Sequence, residues 1–207
     1  MSNHIKTNSK TQENTVFDMF RDLCERKFRK SSLFIVLLIA IAYRILCSFG
    51  GYSGVNDPPT FGDYEAQRHW MELTVNLHPR EWYISTPDND LDYWRIDYPP
   101  VSAYLSWICG YISSLIEPSS MQLFKSRGYE TPTHKLFMRS TVIICDILIL
   151  MTGVTLLIMR SNKKYNFQTR LIYLLLILLS PLLILIDHGH FQYNCVTLGM
   201  GSNIPSD

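Results

Sequence analysis

The sequence predicts an all-α, polytopic membrane protein, and three observations support that prediction. The apolar residues of the 207-residue chain are gathered into separate runs, basic residues flank those runs, and a long aromatic and charged segment separates the first two. The net charge of +1 gives no reason to expect nucleic acid as a partner. The five cysteines are scattered without a CxxC pair, so they predict neither a disulfide framework nor a zinc site.

Three apolar runs approach the roughly 20 residues that a helix needs to cross a bilayer. They predict transmembrane helices over 33–50, 140–159 and 171–186. A polar segment over 1–32 precedes the first run, and Arg44 stands where a cleavage region would lie, which favours a retained signal anchor. Pro181 is expected to kink the third helix, because proline lacks the N–H that the helical ladder needs.

Basic residues in the short flanking segments set the orientation of the spans. One cluster precedes the first span and the other lies between the second and third, so three spans place both clusters on one side. They are Arg21, Arg26, Lys27, Arg29 and Lys30, then Arg160, Lys163, Lys164 and Arg170. The tail 1–32 and the loop 160–170 are therefore predicted to be cytosolic, and the segments 51–139 and 187–207 lumenal. A fourth apolar run, 101–116, would reverse this arrangement if it crossed, so it is predicted to be an amphipathic helix at the lumenal interface.

Asp63 is the leading candidate for chemistry in the lumenal loop. Thr60 follows two prolines as a candidate N-cap, and a helix over about 61–75 would place Asp63 in its first turn, where a carboxylate suits the helix dipole. The same helix would bring Glu65 near Arg68 and His69. Asp63 is thus either a helix-capping carboxylate or a general base, ionised at neutral pH.

Aromatic and acidic residues recur later in the same loop. Trp82, Trp94, Asp97 and Tyr98 suit either a sugar-binding surface or an aromatic belt at the membrane surface. The spacing of Asp88, Asp90 and Asp92 imitates a calcium loop, but the glycine and glutamate that such a loop requires are absent.

Polar residues also occur in and after the apolar spans. The segment 187–194 reads DHGHFQYN, and its histidines, His188 and His190, fit either a polar helix end or a hydrogen-bonding site for phosphate or sugar. Arg44 and Asp146 lie inside spans, where charge is costly. We expect Arg44 to snorkel to the lumenal surface, the alternative being attraction to a lipid phosphate.

Together these stretches resemble a family. The sequences GDYEAQRHWME over 62–72, LDYWRIDYPP over 91–100, SRGYE over 126–130 and DHGHFQYN over 187–194 are similar to the dolichyl-phosphate-glucose-dependent α-1,3-glucosyltransferases of the endoplasmic reticulum. The motif GDYEAQRHW resembles the corresponding sequence of the members that add the first glucose to Man9GlcNAc2-PP-dolichol. The sibling members, which add the second glucose, share DYPP and HFQYN but depart from GDYEAQRHW.

The resemblance implies the N-terminal part of a GT-C type glycosyltransferase with a large helical first lumenal loop, in the endoplasmic reticulum membrane. It implies an inverting transfer of glucose from dolichyl phosphate glucose to the dolichyl-diphosphate-linked oligosaccharide, with Asp63 as general base. Neither a metal nor a cofactor is expected. The expected substrate-binding residues are Arg68, His69, Trp70, Asp97, Tyr98, His188, His190 and Gln192.

The chain ends in a polar segment where family members continue, so it is expected to be a C-terminally truncated member. The alternatives are a non-catalytic membrane protein of the same family and the enzyme that adds the second glucose.

Overall fold

The computed structural model describes residues 2–160 and 165–202, with side chains from residue 25 onward. Its regular elements are helices, and parts of the predicted cytosolic loop and lumenal tail (161–164 and 203–207) lie outside the described residues. The helices are α1 Ser2–Ser48, α2 Gly62–Asn76, α3 Pro100–Ile116, α4 Pro132–Cys145, α5 Thr152–Arg160, α6 Phe167–Leu178, α7 Pro181–Ile184 and α8 Asn194–Ser202. A π-helical segment, Asp146–Met151, joins α4 to α5, and a second, Leu185–Phe191, follows α7.

The three predicted spans coincide with apolar helices, whose bounds differ from the predicted ones. Glu25–Ser48 of α1 and the continuous stretch Pro132–Arg160 are long and apolar enough to cross a membrane. The third is a bent pair, Phe167–Leu178 followed by Pro181–Phe191, with an angle of 43° at the break. The predicted kink at Pro181 is therefore confirmed.

The apolar run 101–116 forms a helix of 17 residues, α3, which is shorter than the spanning helices. One face of α3 is buried against α2, and the other exposes aromatic and aliphatic side chains such as Tyr104, Trp107 and Ile112. The two helices approach closely at Gly110, where an added Cβ would lie 2.7 Å from the carbonyl oxygen of Met71. The amphipathic helix is confirmed, while its position at a membrane interface stays a prediction.

The spanning helices pack around a common apolar cluster and expose other apolar residues outward. Val36 and Ala40 of α1 contact a cluster that includes Leu150, Leu174 and Leu178. Exposed apolar side chains cover the outer faces of the same helices, as expected where lipid surrounds a helix bundle. They include Phe34, Ile35, Leu38, Leu148, Ile172 and Leu176.

A second apolar cluster places the start of α2 at the ends of the second and third spans. Tyr64 and Met71 of α2 pack with Met138 and Val142 of α4 and with Phe191. The backbone N–H of Ser53 adds a hydrogen bond to the carbonyl of His190 at 3.2 Å.

Helix α2 begins differently from the expectation. Thr60 is not its N-cap: Phe61 precedes the helix in the left-handed region, with φ of 59°, and its side chain makes no capping hydrogen bond. The hydroxyl of Ser53 accepts a hydrogen bond from the backbone N–H of Asp63 in the first turn, at 3.4 Å. The carbonyl of Thr60 instead accepts a hydrogen bond from Trp94 Nε1 at 2.6 Å. Gly62, with φ of 63°, turns the chain so that Asp63 enters the first helical turn, as predicted.

Candidate functional site

The Asp63 carboxylate is held by two side chains of the 187–194 segment. Asp63 Oδ2 lies 2.8 Å from His190 Nε2 and accepts a hydrogen bond from Gln192 Nε2, also at 2.8 Å. The side chains of Asp63 and His190 remain 26% and 53% exposed, so the pair is open on one side. Both side chains contact the same oxygen, and within the described residues Asp63 Oδ1 has no hydrogen-bond partner.

The position of Gln192 is fixed by the turn between the third span and α8. Asp187 is buried, and its carboxylate accepts hydrogen bonds from the backbone N–H groups of Asn194 and Cys195 at the start of α8, at 3.0 and 2.6 Å. The side-chain amide of Asn194 then donates to Gln192 Oε1 at 2.7 Å. Because the oxygen of Gln192 is occupied by Asn194, its NH₂ group is directed at Asp63.

Tyr98 and Trp70 form an aromatic wall near this carboxylate. Their rings meet edge to face at 5.3 Å, and Trp70 Nε1 donates to the carbonyl of Trp94 at 2.9 Å. Burial raises the pKa of Tyr98, and the negative charges of Asp97, Asp63 and Asp187 raise it further. Asp97 itself is exposed and makes no hydrogen bond with any described residue.

Arg68 and His69 lie in a buried network and not at the open site, and their expected contact with substrate stays a prediction. Arg68 is fully buried and pairs with Glu65 and Glu72, each at 2.6 Å. Burial opposes its charge, but the two carboxylates outweigh burial and raise the pKa of the guanidinium. Arg68 also donates to the Ser120 carbonyl, so it ties α2 to the turn after α3. The predicted Glu65–Arg68 pairing is confirmed.

His69 is also buried, and its partner is not Glu65 as expected. Its Nδ1 lies 3.4 Å from Glu72 Oε2, and its ring meets Tyr93 edge to face. Neither Arg68 nor His69 presents a free surface to a ligand, because Arg68 is buried against the turn after α3 and His69 against Tyr93.

His188 belongs to a third group of residues, inside the spanning bundle. Its Nε2 lies 2.7 Å from Asp146 Oδ2, which also accepts a hydrogen bond from Arg44 Nε. All three side chains are at most 1% exposed. The expectation that Arg44 snorkels to the surface is therefore wrong, since Arg44 is paired with Asp146 in the interior. His188 is paired with the same carboxylate, and its expected contact with substrate stays a prediction.

Arg139 is a residue whose place the sequence did not suggest. Its guanidinium donates to the carbonyls of His188, Gly50 and Gly51. It therefore joins the end of the first span to the end of the third. The sequence feature that could have indicated this role is the position of Arg139 at the start of an apolar run.

Fold and site together define a multi-span helical membrane protein with a partly exposed carboxylate held at the ends of its spans. The chain belongs to the ALG6, ALG8 glycosyltransferase family, whose model matches residues 32–202.

Named relatives extend this similarity. The chain is 53% identical over 171 residues to a probable dolichyl pyrophosphate Man9GlcNAc2 α-1,3-glucosyltransferase of Dictyostelium discoideum, covering 83% of this chain and 33% of that protein. It is 52% identical over 169 residues to the dolichyl pyrophosphate Man9GlcNAc2 α-1,3-glucosyltransferase of Gallus gallus, covering 82% of this chain and 33% of that protein. The chain thus spans about a third of the length of the curated relatives it matches.

Proposed function

We propose that this chain supplies the base-bearing part of an α-1,3-glucosyltransferase that moves glucose from dolichyl phosphate glucose to dolichyl-diphosphate-linked Man9GlcNAc2. Asp63 is the proposed general base. One observation carries the proposal: the Asp63 carboxylate is partly exposed, held through Oδ2 by His190 and Gln192, and open at Oδ1. The names of the relatives support the acceptor.

The chemistry suits a single carboxylate. A glycosidase usually needs two, because an acid must protonate a poor leaving group. Phosphate is a good leaving group, so the reaction needs mainly a base that takes the proton of the acceptor hydroxyl as it attacks. Attack from the face opposite the phosphate inverts the sugar and converts a β-linked donor into an α-linked product.

The location also suits lipid-linked substrates. His190 lies in the last turn of the third span and Gln192 follows that span directly, while Phe191 between them packs on α4. A carboxylate held there lies near the membrane edge, where a sugar carried on a polyprenyl phosphate is presented. We propose that this edge faces the lumen of the endoplasmic reticulum, because the basic clusters flank the opposite ends of the spans.

The test is a chimaera in which residues 32–202 replace the matching third of the Dictyostelium discoideum relative. It is expressed in cells that lack their own enzyme, and conversion of Man9GlcNAc2-PP-dolichol to its monoglucosylated form is measured in membranes. Asp63→Asn should lower turnover by a factor of about 100 to 10,000, the range that general-base catalysis contributes. The matched control, Asp92→Asn, changes an exposed aspartate elsewhere in the segment between the first two spans and should leave turnover unchanged.

Full activity of the Asp63→Asn chimaera would refute the assignment of the base. An unsubstituted chimaera that inserts normally but has no activity would contradict the proposal that this chain supplies that part of such an enzyme.

A further inference from the structure

The third span is broken, and three buried polar side chains meet beside the break. Its first half, α6, ends at Leu178, and its second half starts at Pro181, with an angle of 43° between the two. The three side chains come one from each span: Arg44 from the first, Asp146 from the second and His188 from the second half of the third. Each is at most 1% exposed, so the group lies inside the bundle.

Arg44 binds the end of the first half. The last carbonyls of a helix have no backbone donor within that helix, and the carbonyl of Leu178 is one of these. Arg44 Nη1 donates to it at 2.8 Å and also contacts the carbonyl of Ala40, in its own helix, at 3.1 Å. The guanidinium therefore ties α6 to α1 directly before the break.

The same guanidinium is connected to the second half through Asp146. Arg44 Nε and His188 Nε2 both contact one oxygen of the Asp146 carboxylate, Oδ2. Since a carboxylate only accepts hydrogen bonds, His188 donates through its Nε2 hydrogen. A continuous series of contacts thus runs from Leu178, on one side of the break, to His188 on the other.

His188 lies close to the residues that hold Asp63. It shares the π-helical segment Leu185–Phe191 with His190, whose Nε2 lies 2.8 Å from Asp63 Oδ2. Gln192 directly follows that segment and donates to the same oxygen. A change in the direction of the second half would therefore displace both contacts from the carboxylate.

We infer that Arg44, Asp146 and His188 form a clamp across the break, which fixes the angle between the two halves of the third span. By fixing that angle, the clamp places the two side chains that hold the proposed base. The three members are positioning residues, because they act through the helix and not on the carboxylate of Asp63. Their effect on turnover rests on the proposed function, whereas the clamp itself does not.

The first test measures the geometry of the break and does not depend on activity. The chimaera described above carries p-acetylphenylalanine at Ile172 and Leu185, which are exposed on the two halves, and a nitroxide label is attached to each. The two positions lie about 20 Å apart along the helices, within reach of pulsed electron paramagnetic resonance in lipid nanodiscs. The unsubstituted protein should give one narrow distribution of distances. His188→Leu, which removes the donor to Asp146, should broaden or shift that distribution.

Three further variants make the geometric test specific. His188→Gln keeps a side-chain N–H that can donate to Asp146, so it should restore the narrow distribution. Leu182→Ala changes an exposed residue of the same half and should leave the distribution unchanged. Arg44→Lys keeps the charge but offers one nitrogen in place of three, so it should broaden the distribution. This last variant keeps the clamp testable if His188→Leu does not fold.

The second test measures turnover per folded chimaera, so that a loss of stability alone does not alter the result. His188→Leu should lower kcat about 10- to 100-fold with little change in KM, because displacing the groups that hold a base impairs the chemical step. His188→Gln should regain most of the lost kcat. Leu182→Ala should leave both constants unchanged.

An unchanged distribution of label distances in folded His188→Leu, or in folded Arg44→Lys, would overturn the clamp. A changed distribution with unaltered kcat, or with a raised KM alone, would overturn its positioning role. If the unsubstituted chimaera is inactive, the proposed function fails, yet the label distances still decide on the clamp. The two failures are therefore told apart.

Discussion

The side-chain amide of Gln192 donates to the Asp63 carboxylate at 2.8 Å, although the two residues are 129 positions apart in the chain. His190 binds the same oxygen of Asp63, so two distant sequence stretches form one unit. The carboxylate is thereby oriented from one side and left open on the other.

Removing the Gln192 contact should impair chemistry more than binding. In the active chimaera, Gln192→Leu is expected to lower kcat about 10- to 100-fold with little change in KM, because a small misplacement of a catalytic group has effects of this size. Gln168→Leu serves as the control for a glutamine change elsewhere. Unchanged kcat in Gln192→Leu would mean that this hydrogen bond does not position the carboxylate.

The Arg44–Asp146 pair should show strong energetic coupling. Arg44→Leu leaves Asp146 buried without its cation, which costs about 3–5 kcal/mol of unfolding free energy. The double variant Arg44→Leu/Asp146→Leu should be more stable than either single variant, because it leaves neither charge behind. Unfolding of the chain in mixed detergent micelles measures this, with Tyr43→Leu, an exposed neighbour, as control. Losses that simply add in the double variant would show that the two residues act independently.

Stability should depend on pH through Glu72. Burial raises its pKa, but the hydrogen bond from His69 and the charge of Arg68 outweigh burial and lower the pKa from 4.5 to about 2. A carboxyl with a lowered folded-state pKa stabilises the fold above its unfolded value, near pH 4.5, and this stability is lost as the pH falls toward 2.

The gap between the unsubstituted chain and Glu72→Gln should therefore narrow by about 3 kcal/mol between pH 5 and pH 2. Denaturant unfolding followed by tryptophan fluorescence measures the gap. A gap that is constant with pH would contradict the paired, ionised state of Glu72.

Gly110 should be intolerant of a side chain. Gly110→Ala would bring a Cβ to 2.7 Å from the Met71 carbonyl oxygen, so α3 must move away from α2. Overpacking of this kind typically costs about 1–3 kcal/mol. Gly51→Ala is the matched control, since an added Cβ there has nothing within 4 Å. Comparable thermal stability of the two variants would exclude a close α2–α3 contact.

The orientation can be tested by engineered glycosylation. Asp88→Asn combined with Asp90→Thr creates an acceptor site in the segment between the first two spans, and both residues are exposed. This variant should gain a glycan in microsomes, while Lys164→Thr, which creates a site at Asn162 in the predicted cytosolic loop, should not. Modification of the second variant alone would invert the proposed topology.

Local patterns predicted much of this fold, and tertiary contacts account for the rest. The lengths of the apolar runs predicted the spanning helices, and Pro181 marked the bend. Thr60 failed as a helix cap because the tertiary contact with Trp94 takes its carbonyl and Phe61 turns the chain after it. Local sequence patterns cannot predict the contact between Trp94 and Thr60.

The features of the candidate site also divide into those that local patterns predict and those that depend on tertiary contacts. The placement of Asp63 in the first turn of α2 was predictable from the preceding prolines, whereas its contacts with His190 and Gln192 depend on how the spans pack. The burial of Arg68 and His69 could not be predicted, because sequence spacing cannot show that this face of α2 is packed against other segments. The sequence did contain an indication that Arg44 pairs with Asp146, because charged residues inside a bilayer usually pair with one another.

The residues that contact Asp63 lie at the end of the third span and just after it, and this has a consequence for biosynthesis. A nascent chain exposes Asp63 to the lumen long before Gln192 leaves the ribosome, if the proposed topology holds. Until the bent third helix has inserted into the bilayer, the Asp63 carboxylate lacks its contacts with His190 and Gln192. Formation of the Asp63 site is then coupled to membrane insertion, and an incompletely inserted protein lacks the proposed activity.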